Sequence, residues 1–156
     1  MAETKVTNNE IDQTPLSSWL TWTPTLSGRF DDTKWTKTCR YIQIGRTVHY
    51  RMKLVANAAT PMSGGTTDAQ FSLPVAAAAG YAGADQTAAI GYGGIYDSGT
   101  AVYAAIVLLS SSSNSTGRIR TFSTASNPAG LAAILSTSPM TWASGDEITC
   151  SGTYEV

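Results

Sequence analysis

Charge is what this sequence has least of. Asp, Glu, Lys and Arg make up 13% of its 156 residues, about half of what soluble proteins usually carry. Ten basic against eleven acidic side chains leave a net charge of −1, which excludes the strong positive field that nucleic acid or anionic lipid attracts. Histidine occurs once, as His49, and cysteine twice, as Cys39 and Cys150, so no metal-type ligand spacing is present. The longest unbroken apolar run, Ala101 to Leu109, is nine residues, about half of what a bilayer-crossing helix needs. Met1 to Glu10 contain no apolar stretch of the kind a secretion signal requires. The expectation is a product made soluble and kept inside the producing cell until something else releases it. In such a reducing compartment the two cysteines read as free, partly buried thiols.

Small and hydroxylated residues fill the gap left by charge: 22 Thr, 21 Ala, 17 Ser and 14 Gly. This mixture suits pleated sheet better than helix, whose surfaces usually carry Glu, Lys and Arg. From Trp19 onward the apolar period is two. Val48, Tyr50, Met52 and Leu54 alternate with Thr47, His49, Arg51 and Lys53, the pattern of a half-buried strand. Gly45-Arg46 supplies the turn of an antiparallel hairpin over residues 38–55. Ile148, Cys150, Gly152, Tyr154 and Val156 alternate with polar partners in a last strand that follows the turn cluster Ser144-Gly145-Asp146. Further strands are predicted at 21–26, 70–75, 89–96, 101–109, 118–123 and 131–136. Asp97 to Thr100 reads as the turn of a second hairpin, Ser110 to Thr116 as a long flexible connection, and 75–79 as a loop. The expected fold is all-β, an antiparallel jelly-roll-like sandwich of about eight or nine strands over 19–156. Residues 1–18 read as an extended arm whose apolar points, Val6, Ile11 and Leu16, fit no helix or strand face and suit a tether.

The segment 101–109 is apolar on both faces, which predicts cover on both sides. Val102, Tyr103, Ile106, Val107 and Leu108 are the candidate subunit interface. Catalytic constellations are not evident. His49 sits on the polar side of a strand with no placeable triad partner, and the neighbouring carboxylates Asp31-Asp32 and Asp146-Glu147 point to opposite faces of an extended chain, unlike a glycosidase pair. No glycine-rich phosphate cradle with its lysine occurs, so no cofactor is expected. Seven of the ten basic residues lie between Arg29 and Lys53, a density that fits one solvated sheet face, with a patch for a phosphorylated or sulfated polymer as the functional alternative. Sugar recognition needs aromatic faces beside hydrogen-bond acceptors. Trp35, placed in a polar loop after Asp31 and Asp32, together with Tyr81, Tyr96 and Asp97 in or beside other loops, would form a shallow lectin-like groove.

Trp22-Thr-Pro-Thr-Leu26, followed by Arg40-Tyr-Ile-Gln-Ile-Gly-Arg-Thr-Val-His-Tyr-Arg51, resembles a β module recurrent in tailed-bacteriophage structural proteins. Phe71-Ser-Leu-Pro74, Pro139-Met-Thr-Trp142, Ser144-Gly-Asp146 and Ser151-Gly-Thr-Tyr-Glu155 match later landmarks in the same order. The set covers about a third of the chain; residues 76–136 show little of the pattern, and there is a short arm in place of a long fibre stem. The resemblance implies a jelly-roll-like virion appendage, usually trimeric, of tail-fibre-tip or receptor-binding type, assembled in the cytoplasm of a bacterial host. It supplies no catalytic or binding residue. Its expected partners are further copies of itself, other virion proteins held through the arm, and a host-surface glycan, without nucleic acid or membrane insertion. Capsid decoration is the alternative position on the same particle. A stand-alone lectin is the alternative of another class, and a polysaccharide hydrolase a third.

Overall fold

The computed structural model describes residues 18–65, 67–79, 88–123 and 130–156. Within them the chain forms ten strands: β1 Leu20–Thr21, β2 Leu26–Gly28, β3 Trp35–Ile44, β4 Thr47–Ala56, β5 Ala69–Ser72, β6 Ala89–Asp97, β7 Ala101–Ser110, β8 Ser113–Ser123, β9 Gly130–Ala133 and β10 Glu147–Glu155. A 3-10 turn, Asp32–Lys34, precedes β3 and is capped by the Asp31 carboxylate. The sheet runs β1-β3-β4-β10-β6-β7-β8-β5-β2, antiparallel at each pairing, with β9 added to the free stretch of β8 beyond β5.

The two ends of this path, β1 and β2, are joined by residues 22–25 alone, which span at most about 18 Å when extended. A nine-strand path whose ends lie that close must curl back on itself. The Trp22 N–H donates to the Cys39 carbonyl of β3, while the Ser72 N–H of β5 donates to the Thr25 carbonyl. The Trp-Thr-Pro-Thr segment thus crosses from one half of the sheet to the other. Pro24 has no N–H to give a ladder, which is why the predicted strand over 21–26 is broken into β1 and β2.

Curling brings the inner faces together, and the aromatic rings record it. Trp22 lies 6.1 Å from Tyr50 of β4 and 6.0 Å from Phe71 of β5, and Tyr50 lies 6.3 Å from Phe71. Strands far apart along the sheet therefore share one core, as in the jelly-roll-like, all-β architecture expected from the alternation. Val48, Tyr50, Met52, Leu54 and Ala56 of β4 all point inward, as do Ile148, Cys150 and Tyr154 of β10. Gly152 stands directly opposite Tyr50 on one side and Gly91 on the other. A Cβ at Gly91 would meet the Tyr50 hydroxyl at 2.3 Å, and one at Gly152 would meet the Tyr50 ring at 2.7 Å. The glycine pair is the space into which the tyrosine packs.

Several boundaries differ from the sequence reading. Ser110 to Thr116 is not a long connection: Ser111 and Ser112 make a tight turn and β8 starts at Ser113. Its serines bond one another (Ser113 Oγ to Ser115 Oγ, 2.9 Å), and the Asn114 side chain donates to the Ala77 carbonyl, so polar residues are satisfied inside a strand. The strand expected at 70–75 is β5, and that at 131–136 is the shorter β9 followed by an isolated Leu135–Ser138 bridge. Both hairpin turns lie where expected, with Gly45 at φ 57° and Gly99 at φ 83°, backbone that glycine adopts without strain. The tether candidates Val6, Ile11 and Leu16 lie outside the described residues.

Candidate functional site

The loop groove expected around Trp35 does not form. Trp35 opens β3 with its side chain in the core, 4% exposed, edge-on to Phe30 and Trp142, and its indole N–H donates to the Pro61 carbonyl. A ring buried on all sides offers no face to a sugar. Asp31 is tied to Thr33 and Lys34, whose hydrogen bonds hold its carboxyl below the ordinary carboxylate range. Burial works to raise the Asp32 carboxyl, but hydrogen bonds from Lys37 and the Leu26 N–H outweigh it and the net shift is downward. Tyr96 and Asp97 close β6, and the Tyr96 hydroxyl accepts from the Gly99 N–H. They share an end of the sheet with Trp35, since Trp35 faces Ala56, Val55 faces Glu147 and Glu147 faces Tyr96. Three strand spacings, about 14 Å, separate the two groups. Tyr81 lies outside the described residues.

The predicted interface strand divides by face. Val107 is fully buried, and Tyr103 packs against the core from the inner side, so neither is available to another subunit. Leu108 is on the outer face but 6% exposed. Val102 is 71% exposed, and Ile106 stands on the same outer face, half-buried. Around them the outer face carries Tyr96 of β6, Ala104 of β7, Phe122 of β8 (54% exposed) and Leu131 of β9. Phe122 and Leu131 are Cα partners. The arginines that border this apolar field, Arg118 and Arg120, share the Asp68 carboxylate at 3.3 and 2.7 Å, which offsets one of their two charges.

The other half of the same outer surface is built differently. One cross-strand row reads Thr21, Arg40, Arg51, Ser151, Tyr92, Ile106 from β1 to β7. The neighbouring row reads Thr38, Lys53, Thr149, Gly94. Short hydroxyl side chains and glycine thus floor the surface over β10 and β6, while Arg51 and Lys53 on one side and Tyr92 on the other rise as walls. The result is an open trough of about 400 Å³. Two further depressions adjoin it, of about 270 and 300 Å³, and Trp19 lines both. Arg51 is the residue common to all three. Its guanidinium lies 5.1 Å from the centroid of the Trp19 ring, a cation–π placement. The His49 ring nitrogen Nδ1 bonds the Thr153 hydroxyl at 2.9 Å on the edge of this field.

Comparison with protein-family models, with curated proteins and with solved structures finds no match for this chain. The surface must be read from its own chemistry.

Four of the seven cations between Arg29 and Lys53 face a carboxylate: Lys34 with Asp31, Lys37 with Asp32, Arg46 with Glu155 and Lys53 with Glu147. Arg40 and Arg51 face each other instead. Among the described residues no set of three or more His, Cys, Asp or Glu is grouped as metal ligands would be. Sequence reasoning missed Trp19, Arg40, Arg51, Tyr92, Phe122 and Leu131 as surface determinants. Alternation places each of them on a polar or apolar stripe of its own strand, but only the pairing of strands distant in sequence sets them side by side.

Proposed function

We propose that this chain is a non-enzymatic structural module that self-associates through the apolar half of its outer sheet face, as a trimeric virion appendage used in attachment. The observation that carries the reading is the exposed field of Tyr96, Val102, Phe122 and Leu131, contiguous on one sheet surface and bordered by the Arg118–Asp68–Arg120 cluster. Contiguous apolar surface of this kind marks association sites, and rotational symmetry lets one such patch cover itself on each neighbour. The ordered landmarks shared with tailed-phage structural modules favour a virion as the assembly, with residues 1–18 as the link to its other proteins.

The acidic side chains support a structural reading over a hydrolytic one. Of the seven among the described residues, Asp31, Asp32, Asp68, Asp146, Glu147 and Glu155 are engaged in ion pairs or hydrogen bonds, leaving Asp97 as the exception. Asp146, for instance, is buried and accepts from the Ser98 and Ala143 N–H groups, tying the β6–β7 turn to the entry of β10. Size-exclusion chromatography with light scattering tests the assembly. The expected result is a trimer that Val102→Glu converts to a folded monomer, since the side chain is 71% exposed and the substitution places a charge within the patch. A wild-type chain that stays monomeric at high concentration overturns the reading.

A further inference from the structure

We propose that the polar half of the outer face is a binding site for an acidic saccharide, a sugar chain bearing carboxylate or sulfate groups, anchored on Arg51. Arg40 and Arg51 are directly opposed Cα partners on β3 and β4. Like charges in that position repel and weaken a sheet, and among the described residues neither has a carboxylate within ion-pair distance. An oxyanion between them removes the repulsion, and the planar guanidinium matches carboxylate or sulfate oxygens two at a time. The Trp19 ring holds the Arg51 guanidinium in place from one side and leaves an exposed aromatic face at the edge of the trough. Thr149 and Ser151 on the floor offer hydroxyls that both donate and accept, as sugar hydroxyls require. The depressions are shallow, open and continuous around one residue, a shape that suits a chain passing over the surface and not a small molecule enclosed by it. A sugar fits better than nucleic acid, because the whole chain carries a net charge of −1 and the attraction is confined to two arginines.

This site lies on the half of the face that assembly leaves open, and it does not depend on the proposed trimer: a monomer that binds saccharide defeats the assembly reading alone. The test uses the full chain and three probes, dextran sulfate, polygalacturonate and unsubstituted dextran, titrated calorimetrically at about 0.15 M salt. One or both charged polymers are expected to bind and neutral dextran is not; which of the two binds more tightly identifies sulfate or carboxylate as the preferred group. Arg51→Gln, at an exposed position, is expected to weaken binding about tenfold or more, and Trp19→Ala several-fold. Lys34→Gln removes the same charge from a distant loop and is expected to leave binding unchanged. Equal weakening by Arg51→Gln and Lys34→Gln, absence of binding to both charged polymers, or equally tight binding of a single-stranded oligodeoxynucleotide of matched charge overturns the proposal.

Discussion

The two halves of the outer sheet surface share one backbone, one alternation and one set of neighbours, yet they present opposite chemistries. Over β3, β4 and β10 most outward positions are polar, Thr38, Arg40, Arg51, Lys53, Thr149, Ser151 and Thr153 among them, with Ile42, Ile44 and Val55 the apolar ones. Over β6 to β9 they include Tyr96, Val102, Ala104, Ile106, Phe122 and Leu131, with Arg118 and Arg120 at the border. Tyr92, 66% exposed, stands on the seam. Solvent does not select the second set, because a sheet face open to water ordinarily alternates to polar residues. The contrast is what the proposed self-association requires: outward positions open to water over β10 and covered over β7.

The inner faces beneath the two halves differ as well, and the largest expected effect follows from that. Beneath the polar half lie the titratable groups Cys39, Cys150 and Tyr154; beneath the apolar half lie Ile95, Ala105, Val107, Leu109 and Ile119. Burial pushes the Cys39 thiol up to about 11, the Cys150 thiol up to about 12 and the Tyr154 hydroxyl up to about 12. An acid whose value is higher folded than unfolded keeps its full contribution below the unfolded value, and that contribution is lost as pH climbs towards the folded one. Stability is therefore expected to fall from about pH 9 upward, by on the order of 5 kcal/mol at pH 11. Urea midpoints measured across that window check the total, and thiol labelling tests the location. Cys39 and Cys150 sit either side of Met52, each its Cα partner, so about 9.6 Å separates them, too far for a disulfide. Both should remain unlabelled near neutrality and open together as the polar half loosens. A flat stability profile across the window removes this distinction between the halves.

On the apolar side the corresponding weak point is Asp68. It offsets part of the positive charge there by serving Arg118, which is buried, and Arg120 at once. Asp68→Asn keeps the shape but removes the negative charge, and breaking one side of such a buried pair costs about 3–5 kcal/mol. Thermal or chemical unfolding measures the loss. The same substitution is expected to weaken self-association, because it places uncompensated positive charge at the border of the patch. A variant as stable as the parent would mean that the arginines do not depend on this carboxylate.

Much of the fold was legible because alternation is a local property. The β3–β4 hairpin, β10 and the β6–β7 hairpin follow from residues within a few positions of one another. Trp35 was misread because its near neighbours Lys34, Thr36 and Lys37 are polar, and the inward series Trp35, Cys39 is interrupted by Lys37, whose ammonium reaches back to Asp32. The serine run before β8 was misread because composition resembles a linker, while its hydroxyls pair within the strand. The polar trough was illegible for a different reason. Arg40 and Arg51 are neighbours through a hairpin the sequence does announce, but Ser151 joins them through a pairing with Arg51 that spans 100 residues and Tyr92 through one with Ser151 that spans 59, and these are set by how the sheet closes.

The smallest expected effect sharpens the comparison at its polar side. Lys53 and Glu147 form an exposed pair at 2.8 Å beside the trough, and pairs of this kind contribute less than about 1 kcal/mol. Glu147→Gln should therefore leave the unfolding midpoint almost unmoved, while releasing the Lys53 ammonium towards the floor that Thr149 and Ser151 provide. Lys53 would then join Arg40 and Arg51 as a cation with no carboxylate partner on this face among the described residues. Affinity for a charged polysaccharide is expected to rise about twofold to fivefold, with a steeper dependence on salt because the added contact is exposed and screened. Stability and binding would then move independently at one position, as they should where a surface is shaped by its ligand and not by the core beneath it. A fall in affinity would place the carboxylate itself among the groups that contact the sugar.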